Sequence, residues 1–303
     1  MVNGLIIKRN IYAVIVTFNP DIGNVKCLVS ELLKQDVTPV IVDNGSLSKE
    51  ESSNFSSLCT LIALDNNFGI AKAQNEGVLF AKNSGAEHVV FFDQDSHITA
   101  GFIDNLVSDY VDLLNRNIVV GALGPVFIDS RYKFYYKQII LSKLGVRRKI
   151  NPELIKKSFE VTLIISSGSL ISIVALEDVG GMDEDLFIDY VDTEWCLRAI
   201  SKGYKIYVST SASMEHAIGD KMISFLGLHI PVHSPVRRYY RIRNAILLLR
   251  MSHVPIVLKL RDNIMNFIHQ IILISTQKNK IKNISIMFSA IKDGISGKKG
   301  KMS

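Results

Sequence analysis

"HVVFFDQDS", residues 88–96, is a short apolar run, Val89 to Phe92, that ends in two carboxylates two positions apart, Asp93 and Asp95. Four apolar residues without alternation read as a strand buried on both faces, the habit of a parallel sheet. Side chains alternate along an extended chain, so Asp93 and Asp95 leave the strand end on one side and Gln94 on the other. Carboxylates that close repel, and one pKa rises unless a cation or hydrogen-bond donors offset the repulsion. A hard divalent ion bearing phosphate oxygens does both. The same residues also suit a turn or a helix cap, so the flanking sequence has to decide.

Upstream the form repeats. "IYAVIVTF" (11–18) is apolar and β-branched and stops at Asn19-Pro20, and "TPVIVDNGS" (38–46) again runs from apolar residues to an aspartate and turn residues. Helices are expected between them, over 22–35, where Ile22, Val25, Leu28, Val29, Leu32 and Leu33 form one stripe, and over 70–83 after "NNFG". The order β-α-β-α-β predicts an α/β fold with a mostly parallel central sheet flanked by helices. Ligands of such sheets sit outside the carboxyl ends of the strands. Thr17, Asp43, Asp93 and Asp95 all fall there.

The 303 residues are 48% hydrophobic and 21% charged, enough for a sizeable core and inconsistent with global disorder. Cys27, Cys59 and Cys196 are widely spaced and odd in number, without a paired metal pattern or a disulfide framework. With no cleavable apolar leader, they predict a cytoplasmic protein. The formal charge of +6 hides an asymmetry: residues 237–303 hold 14 Lys and Arg against two Asp, a net of +12, which leaves −6 for residues 1–236. A catalytic domain over 1–235 and a basic, amphipathic helical region over 236–303 are expected. The apolar runs of that tail, 245–251, 254–260 and 264–274, are each shorter than the roughly 20 residues of a membrane span. Their composition suits helices lying on an anionic membrane surface.

Seven segments taken together, "AVIVTFNP", "VDNGS", "NNFGIAKAQNEG", "FFDQDS", "SSGSLIS", "GGMDEDLFIDYVDTEWCLRAISKGYKIY" and "HAIGD", resemble in order and spacing the inverting glycosyltransferases of family 2, over roughly residues 11–250. The resemblance is greatest to their bacterial rhamnosyltransferase branch. It implies a GT-A nucleotide-sugar-binding fold, Rossmann-like, with a C-terminal helical extension. It further implies dTDP-L-rhamnose as donor, a divalent cofactor (Mg²⁺ or Mn²⁺) and a saccharide acceptor, lipid-linked, in O-antigen or other surface-polysaccharide synthesis at the inner face of the cytoplasmic membrane.

Roles follow position by position. The donor is expected over Thr17, Asn19, Asp43, Asn67, Gly69 and Asn75. There Asp43 would accept from the base imide, Gly69 would allow close backbone approach and Asn75 would donate to ribose or phosphate. By resemblance Asp93 contacts the nucleotide sugar, Asp95 holds the metal and His216 adds a ligand. Displacement at a sugar carbon needs a base for the acceptor hydroxyl. Alignment through Cys196, Leu197 and Arg198 puts Asp192 there, with Val191 where the family has glutamate. Asp192 also reads as a helix cap, which would orient its carboxylate. Ser167, Gly168, Asp189 and Glu194 are the acceptor-side candidates. "SPVRRYYRIRN" (234–244) concentrates arginines whose forked donors suit a diphosphate, with Arg237, Arg238 and Arg243 as candidates.

Two alternatives stay open: a family 2 enzyme using another donor such as a UDP-hexose, and a nucleic-acid-binding protein suggested by the basic tail and a pI near 9.1. The acidic body, with carboxylates at three strand ends, weighs against nucleic acid as a partner.

Overall fold

The computed structural model describes residues 10–129, 133–216, 221–225, 228–276 and 279–302, with side chains over 216–232 outside the description. Strands β1 (Ile11–Thr17), β2 (Thr38–Asp43), β3 (Thr60–Ala63) and β4 (His88–Asp93) alternate with helices α1 (Ile22–Leu33), α2 (Lys49–Ser56) and α3 (Ile70–Asn83). All four strands pair in parallel. Helix α4 (Phe102–Asn115) leads to β5 (Val120–Asp129), to the hairpin of β6 (Gln138–Leu141) and β7 (Arg147–Ile150), and to β8 (Phe159–Val161) and β9 (Leu170–Ser172). Helices α5 (Ile173–Val179) and α6 (Val191–Ser201) precede β10 (Lys205–His216). The main sheet has eight strands in the order β3-β2-β1-β4-β9-β5-β10-β8, with β9 antiparallel to both β4 and β5. A second hairpin, β11 (Lys221–Phe225) and β12 (Leu228–Val232), is followed by α7 (Pro235–Leu248), α8 (Ile256–Thr276) and α9 (Lys280–Ser296).

The expected strands and helices are present to within a few residues; β3, a four-residue strand, lies outside the expected pattern. Continuous apolar runs are needed because both faces of the sheet are covered. Val14, Val16, Val40, Val42 and Phe91 pack in one core layer with Ala71 and Ala73 of α3. Ile15, Ile41 and Phe92 pack in the other with Val25, Leu28 and Leu32 of α1 and Phe102 and Leu106 of α4. Removing a buried ring such as Phe91 costs about 3–5 kcal/mol at such sites. Asp21 starts α1 by accepting the Asn24 N–H.

The division expected at residue 235 coincides with the start of α7, yet α7 is built into the body. Tyr239, Tyr240 and Arg243 are fully buried, and the Tyr240 ring stacks on Phe187 at 4.6 Å. Helix α8 is inverted relative to an ordinary surface helix. Its protein-facing residues include Lys259, Asn266 and Gln270, while Ile256, Leu260, Ile264, Phe267, Ile268 and Ile271 face outward. The inward polar groups are used: Asn266 Nδ2 donates to the Tyr190 hydroxyl (3.0 Å) and the Arg241 carbonyl (3.2 Å), and Asn263 Nδ2 to the Ala245 carbonyl (2.8 Å). Among the described residues, no helix is long and apolar enough to cross a membrane.

Candidate functional site

A cleft of about 520 Å³ opens at the carboxyl ends of β1 and β4, lined by Thr17, Asn67, Gly69, Asp93, Asp95, Ser167, Asp189, Asp192 and Arg237 among others. Nine expected residues, from six separate stretches of chain, therefore meet at one place.

Asp43 and Asn19 do not line it. The Asp43 carboxylate is 1% exposed and saturated, accepting from the Thr17 hydroxyl (2.9 Å), the Ser46 hydroxyl (2.7 Å) and the Ser46 and Leu47 N–H groups (2.6 and 3.1 Å). It holds the turn after β2 and has no lone pair left for a base imide. Its neighbour Asn44 lines the cleft instead. Asn19 is exposed, with a left-handed backbone (φ 48°), and donates its N–H to Ser46 Oγ at 2.8 Å. Asn75 is likewise engaged elsewhere: its amide exchanges two hydrogen bonds with the Met182 backbone (2.9 and 2.8 Å) and donates to Glu184 at 2.8 Å, strapping α3 to the 182–184 segment. Gly69 does permit a close approach, and its nearest neighbour is the protein itself. At φ 91°, a Cβ there would lie 2.4 Å from the Phe187 carbonyl oxygen, while the Ile70 N–H donates to that same oxygen at 2.8 Å.

The Asp-x-Asp stretch departs from the expected alternation, because the chain turns after Asp93, where the Ser96 N–H donates to the Asp93 carbonyl at 3.0 Å. Asp93, Gln94 and Asp95 all line the cleft, and the Gln94 side chain accepts the Phe18 N–H at 2.7 Å. Ser167 pins the turn: its hydroxyl accepts the Asp93 N–H (3.3 Å) and lies 2.8 Å from the Ser96 hydroxyl. Burial, and secondarily the Asp95 charge, push the Asp93 carboxyl up to about 6, with Arg237 opposing. Among the described residues no three ligating side chains form a cluster, and the His216 side chain lies outside them. The backbone up to His216 is described, and there Glu215 bridges His97, two positions beyond Asp95. Two hard carboxylate ligands whose mutual repulsion a cation would relieve are a donor set fit for a divalent metal that brings phosphate oxygens of its own.

Asp192 sits in the first turn of α6, whose cap is Tyr190 in a left-handed conformation (φ 66°), so Asp192 is not itself the cap. Its Oδ1 accepts the Thr193 N–H at 2.8 Å. Burial lifts its carboxyl to about 6; the Thr193 N–H pulls the other way, and the charges of Asp189 and Asp93 add to the rise. Asp189 faces Arg237, whose Nε lies 3.3 Å from both carboxylate oxygens. Burial raises the Asp189 pKa despite Arg237 and Arg241. Arg237 is 49% exposed on its side chain and brings a guanidinium to the carboxylate-lined cleft.

Four other expected residues turn elsewhere. Arg238 donates to Asn283 (2.7 Å) in the interface with α9, and Arg243 donates to the backbone carbonyls of Asp185 and Leu186 (3.0 Å each). Both are buried, so helix packing uses the forks expected for a diphosphate. Glu194 is 2% exposed and takes a two-bond fork from Arg198 (2.8 and 2.9 Å). Gly168 holds a left-handed corner (φ 75°) where a Cβ would meet Met214 Sδ at 2.4 Å. Cleft residues that were not among the sequence-derived candidates include Phe18, Asn44, Gln74, Phe187 and Tyr190. Asn44 could have been found from its place beside Asp43, and Gln74, which donates to Ser166 Oγ at 3.1 Å, from the helix face it shares with Ile70. Nothing in composition marks Phe187 or Tyr190, which reach the cleft through left-handed backbone.

Comparison with known proteins gives three findings. The family model described as glycosyl transferase family 2 matches residues 12–180. A "dTDP-rhamnosyl transferase RfbF" of Shigella flexneri is 46% identical over 292 residues, 96% of this chain and 97% of that protein. Among solved structures, GalNAc-T7 with UDP, GalNAc and Mn²⁺ superposes with a TM-score of 0.58 at 12% identity, covering 85% of this chain and 55% of that one. Staphylococcus aureus TarS superposes with 0.57 at 16% identity, covering 94% and 48%. This chain spans about half of each, and these likenesses show the fold, GT-A, alone. Asp192 and Arg237 lie beyond the family match and within the length shared with the Shigella protein.

Proposed function

The chain belongs to glycosyl transferase family 2, and on that premise we propose that it transfers L-rhamnose from dTDP-L-rhamnose, with inversion, to a hydroxyl of a saccharide acceptor. The observation that carries the reading is the 46% identity to a dTDP-rhamnosyl transferase over nearly the whole of both chains. The cleft supplies the chemistry. The Asp192 carboxylate takes the proton of the attacking hydroxyl, the acceptor oxygen bonds to the sugar carbon from the face opposite the diphosphate, and the bond from that carbon to the diphosphate breaks. Arg237, oriented by Asp189, offers forked donors to the departing charge. Asp95, with Asp93 beside it and His216 as a further ligand, would hold a divalent cation, which supplies charge neutralisation on the diphosphate. Thr17, Asn44, Asn67 and Gly69 frame the nucleoside end.

A lipid-linked acceptor, used in surface-polysaccharide synthesis, fits the outward apolar face of α8 together with the exposed Lys280, Lys282, Lys292 and Lys301 of the same region. Apolar side chains can enter the boundary of an anionic bilayer while lysines meet its headgroups. These features support a peripheral position on the inner face of the cytoplasmic membrane as part of the same reading.

Transfer assays with dTDP-L-rhamnose, UDP-hexoses and GDP-sugars test the donor. Product from dTDP-L-rhamnose, α-linked from the β-linked donor, is expected. A retained configuration, or turnover only with a UDP-hexose, would overturn the reading.

A further inference from the structure

The segment that carries Asp189 and leads into Asp192 has an unusual backbone. Phe187, Asp189 and Tyr190 all have positive φ (62°, 62° and 66°), and none is glycine. Such a run leaves carbonyl groups pointing away from any regular ladder, and buried carbonyls need donors. One side chain meets them. Asn244 of α7, fully buried, places Nδ2 at 2.8 Å from the Leu186 carbonyl, 2.8 Å from that of Ile188 and 2.9 Å from that of Asp189. Its own Oδ1 accepts from Arg243 Nε and Nη2 (2.9 and 2.7 Å), which fixes the amide the right way round. The Arg243 fork continues to the Asp185 and Leu186 carbonyls, and its guanidinium lies 4.9 Å from the centre of the Tyr240 ring. Neither side chain lines the cleft; outside this loop Arg243 also donates Nη1 to the Gly300 carbonyl and lies beside the Tyr239 ring.

We propose that Arg243 and Asn244 form a positioning unit that acts through the 186–190 backbone to set the places of Asp189 and Asp192, and thereby the rate of transfer. The proposal rests on Asp192 as the base. A carboxylate must approach the acceptor hydroxyl to within hydrogen-bonding reach, and a misplacement of about 1 Å costs on the order of 100-fold. A loop of three left-handed residues has lower-energy conformations available once its carbonyls are released. Leu186 and Val191 anchor the two ends of that loop in the sheet core, so release of the carbonyls between them falls on turnover before it falls on folding.

The test measures kcat, donor KM, dTDP affinity and melting temperature for Asn244→Ala, Arg243→Lys, Asn283→Ala and Asp192→Asn. Asn283→Ala is the control: it removes an α7 to α9 bond, from Arg238 Nη2 to Asn283 Oδ1, without touching Arg243, Asn244 or the loop. Asn244→Ala is expected to lower kcat about 10- to 100-fold with dTDP affinity within about threefold, and Arg243→Lys to lower it in the same sense by less. Asn283→Ala is expected to lower the melting temperature and leave kcat within twofold. In the Asp192→Asn background, Asn244→Ala should cost much less than in the parent, because only Asp189 and its partner Arg237 are left to misplace. An Asn244→Ala kcat within twofold of the parent, a loss confined to donor affinity, or an equal loss in Asn283→Ala would overturn the proposal. Should Asn244→Ala fail to fold, an unchanged kcat in Arg243→Lys overturns it. High activity in Asp192→Asn alone would instead refute the base assignment.

Discussion

Asp192 is asked to be charged in a place that disfavours charge, and that tension fixes what its replacement should do. Asp192→Asn keeps the shape and the Thr193 hydrogen bond but cannot take a proton, so turnover should fall about 10²- to 10⁴-fold with dTDP affinity nearly constant, measured by transfer assay and titration. Its carboxyl, like that of Asp93, is raised to about 6. In the role proposed for it Asp192 works ionised, so kcat/KM should decline as pH falls through about 6. Stability has the opposite slope. Raised carboxyls bind protons more tightly in the folded chain, so their stabilising contribution is full below about 4 and is lost as pH rises through about 6. Melting curves of the metal-free protein should therefore show it, and Asp192→Asn should flatten that slope and raise the melting temperature at pH 7 by on the order of 2 °C. Asp95→Asn should abolish the metal-dependent part of dTDP stabilisation, as read by thermal shift with and without Mn²⁺. Of the site, Asp93, Asp95 and Thr17 were legible from the strand pattern alone, because a strand end in a parallel sheet points to the ligand side. The place of Asp43 was legible and its occupation was not: the sequence shows a carboxylate but not the four donors that saturate it.

Elements explain which parts of the pattern could be read. Strands β1, β2 and β4 announce themselves because both their faces are covered, leaving no polar alternation. Strand β3 has four residues and partly exposed side chains, and β9 has three, too short for a period to appear; both are held by pairing to neighbours distant in sequence. Helix α7 shows the same limit from another side. Its arginines are legible as a basic cluster, and only packing tells that Arg237 turns toward the cleft while Arg238 and Arg243 turn into the protein. Gly69 gives an element-scale prediction. Gly69→Ala must accept a left-handed φ and a contact with the Phe187 carbonyl, so it should lose about 1–3 kcal/mol of stability and lower turnover together, seen by denaturant melts and transfer assays. A gain of stability would mean that the 66–70 loop does not bear on Phe187 as described.

At the scale of the molecule, the inverted α8 decides how the enzyme meets its surroundings. Ile264 and Phe267 are 58% and 51% exposed, so Ile264→Asp with Phe267→Asp should leave the melting temperature within about 2 °C, since exposed sites cost little. Sedimentation with anionic vesicles should drop severalfold, and high salt should release the parent protein. Parent protein that ignores anionic vesicles, or loses a dimer on substitution, would move the face from lipid to a second copy. Composition alone gave the apolar and basic character of this tail, while its orientation, polar side inward, needed the packing of Asn263, Asn266 and Gln270. A different consequence follows from the contact of Gly69 and Ile70 with the Phe187 carbonyl. The loop at the nucleoside end and the segment carrying Asp189 and Asp192 share one hydrogen bond, so each substrate shapes the subsite of the other. The two should bind synergistically, each raising the other's affinity by the same factor, as read by titrating dTDP with and without an acceptor analogue.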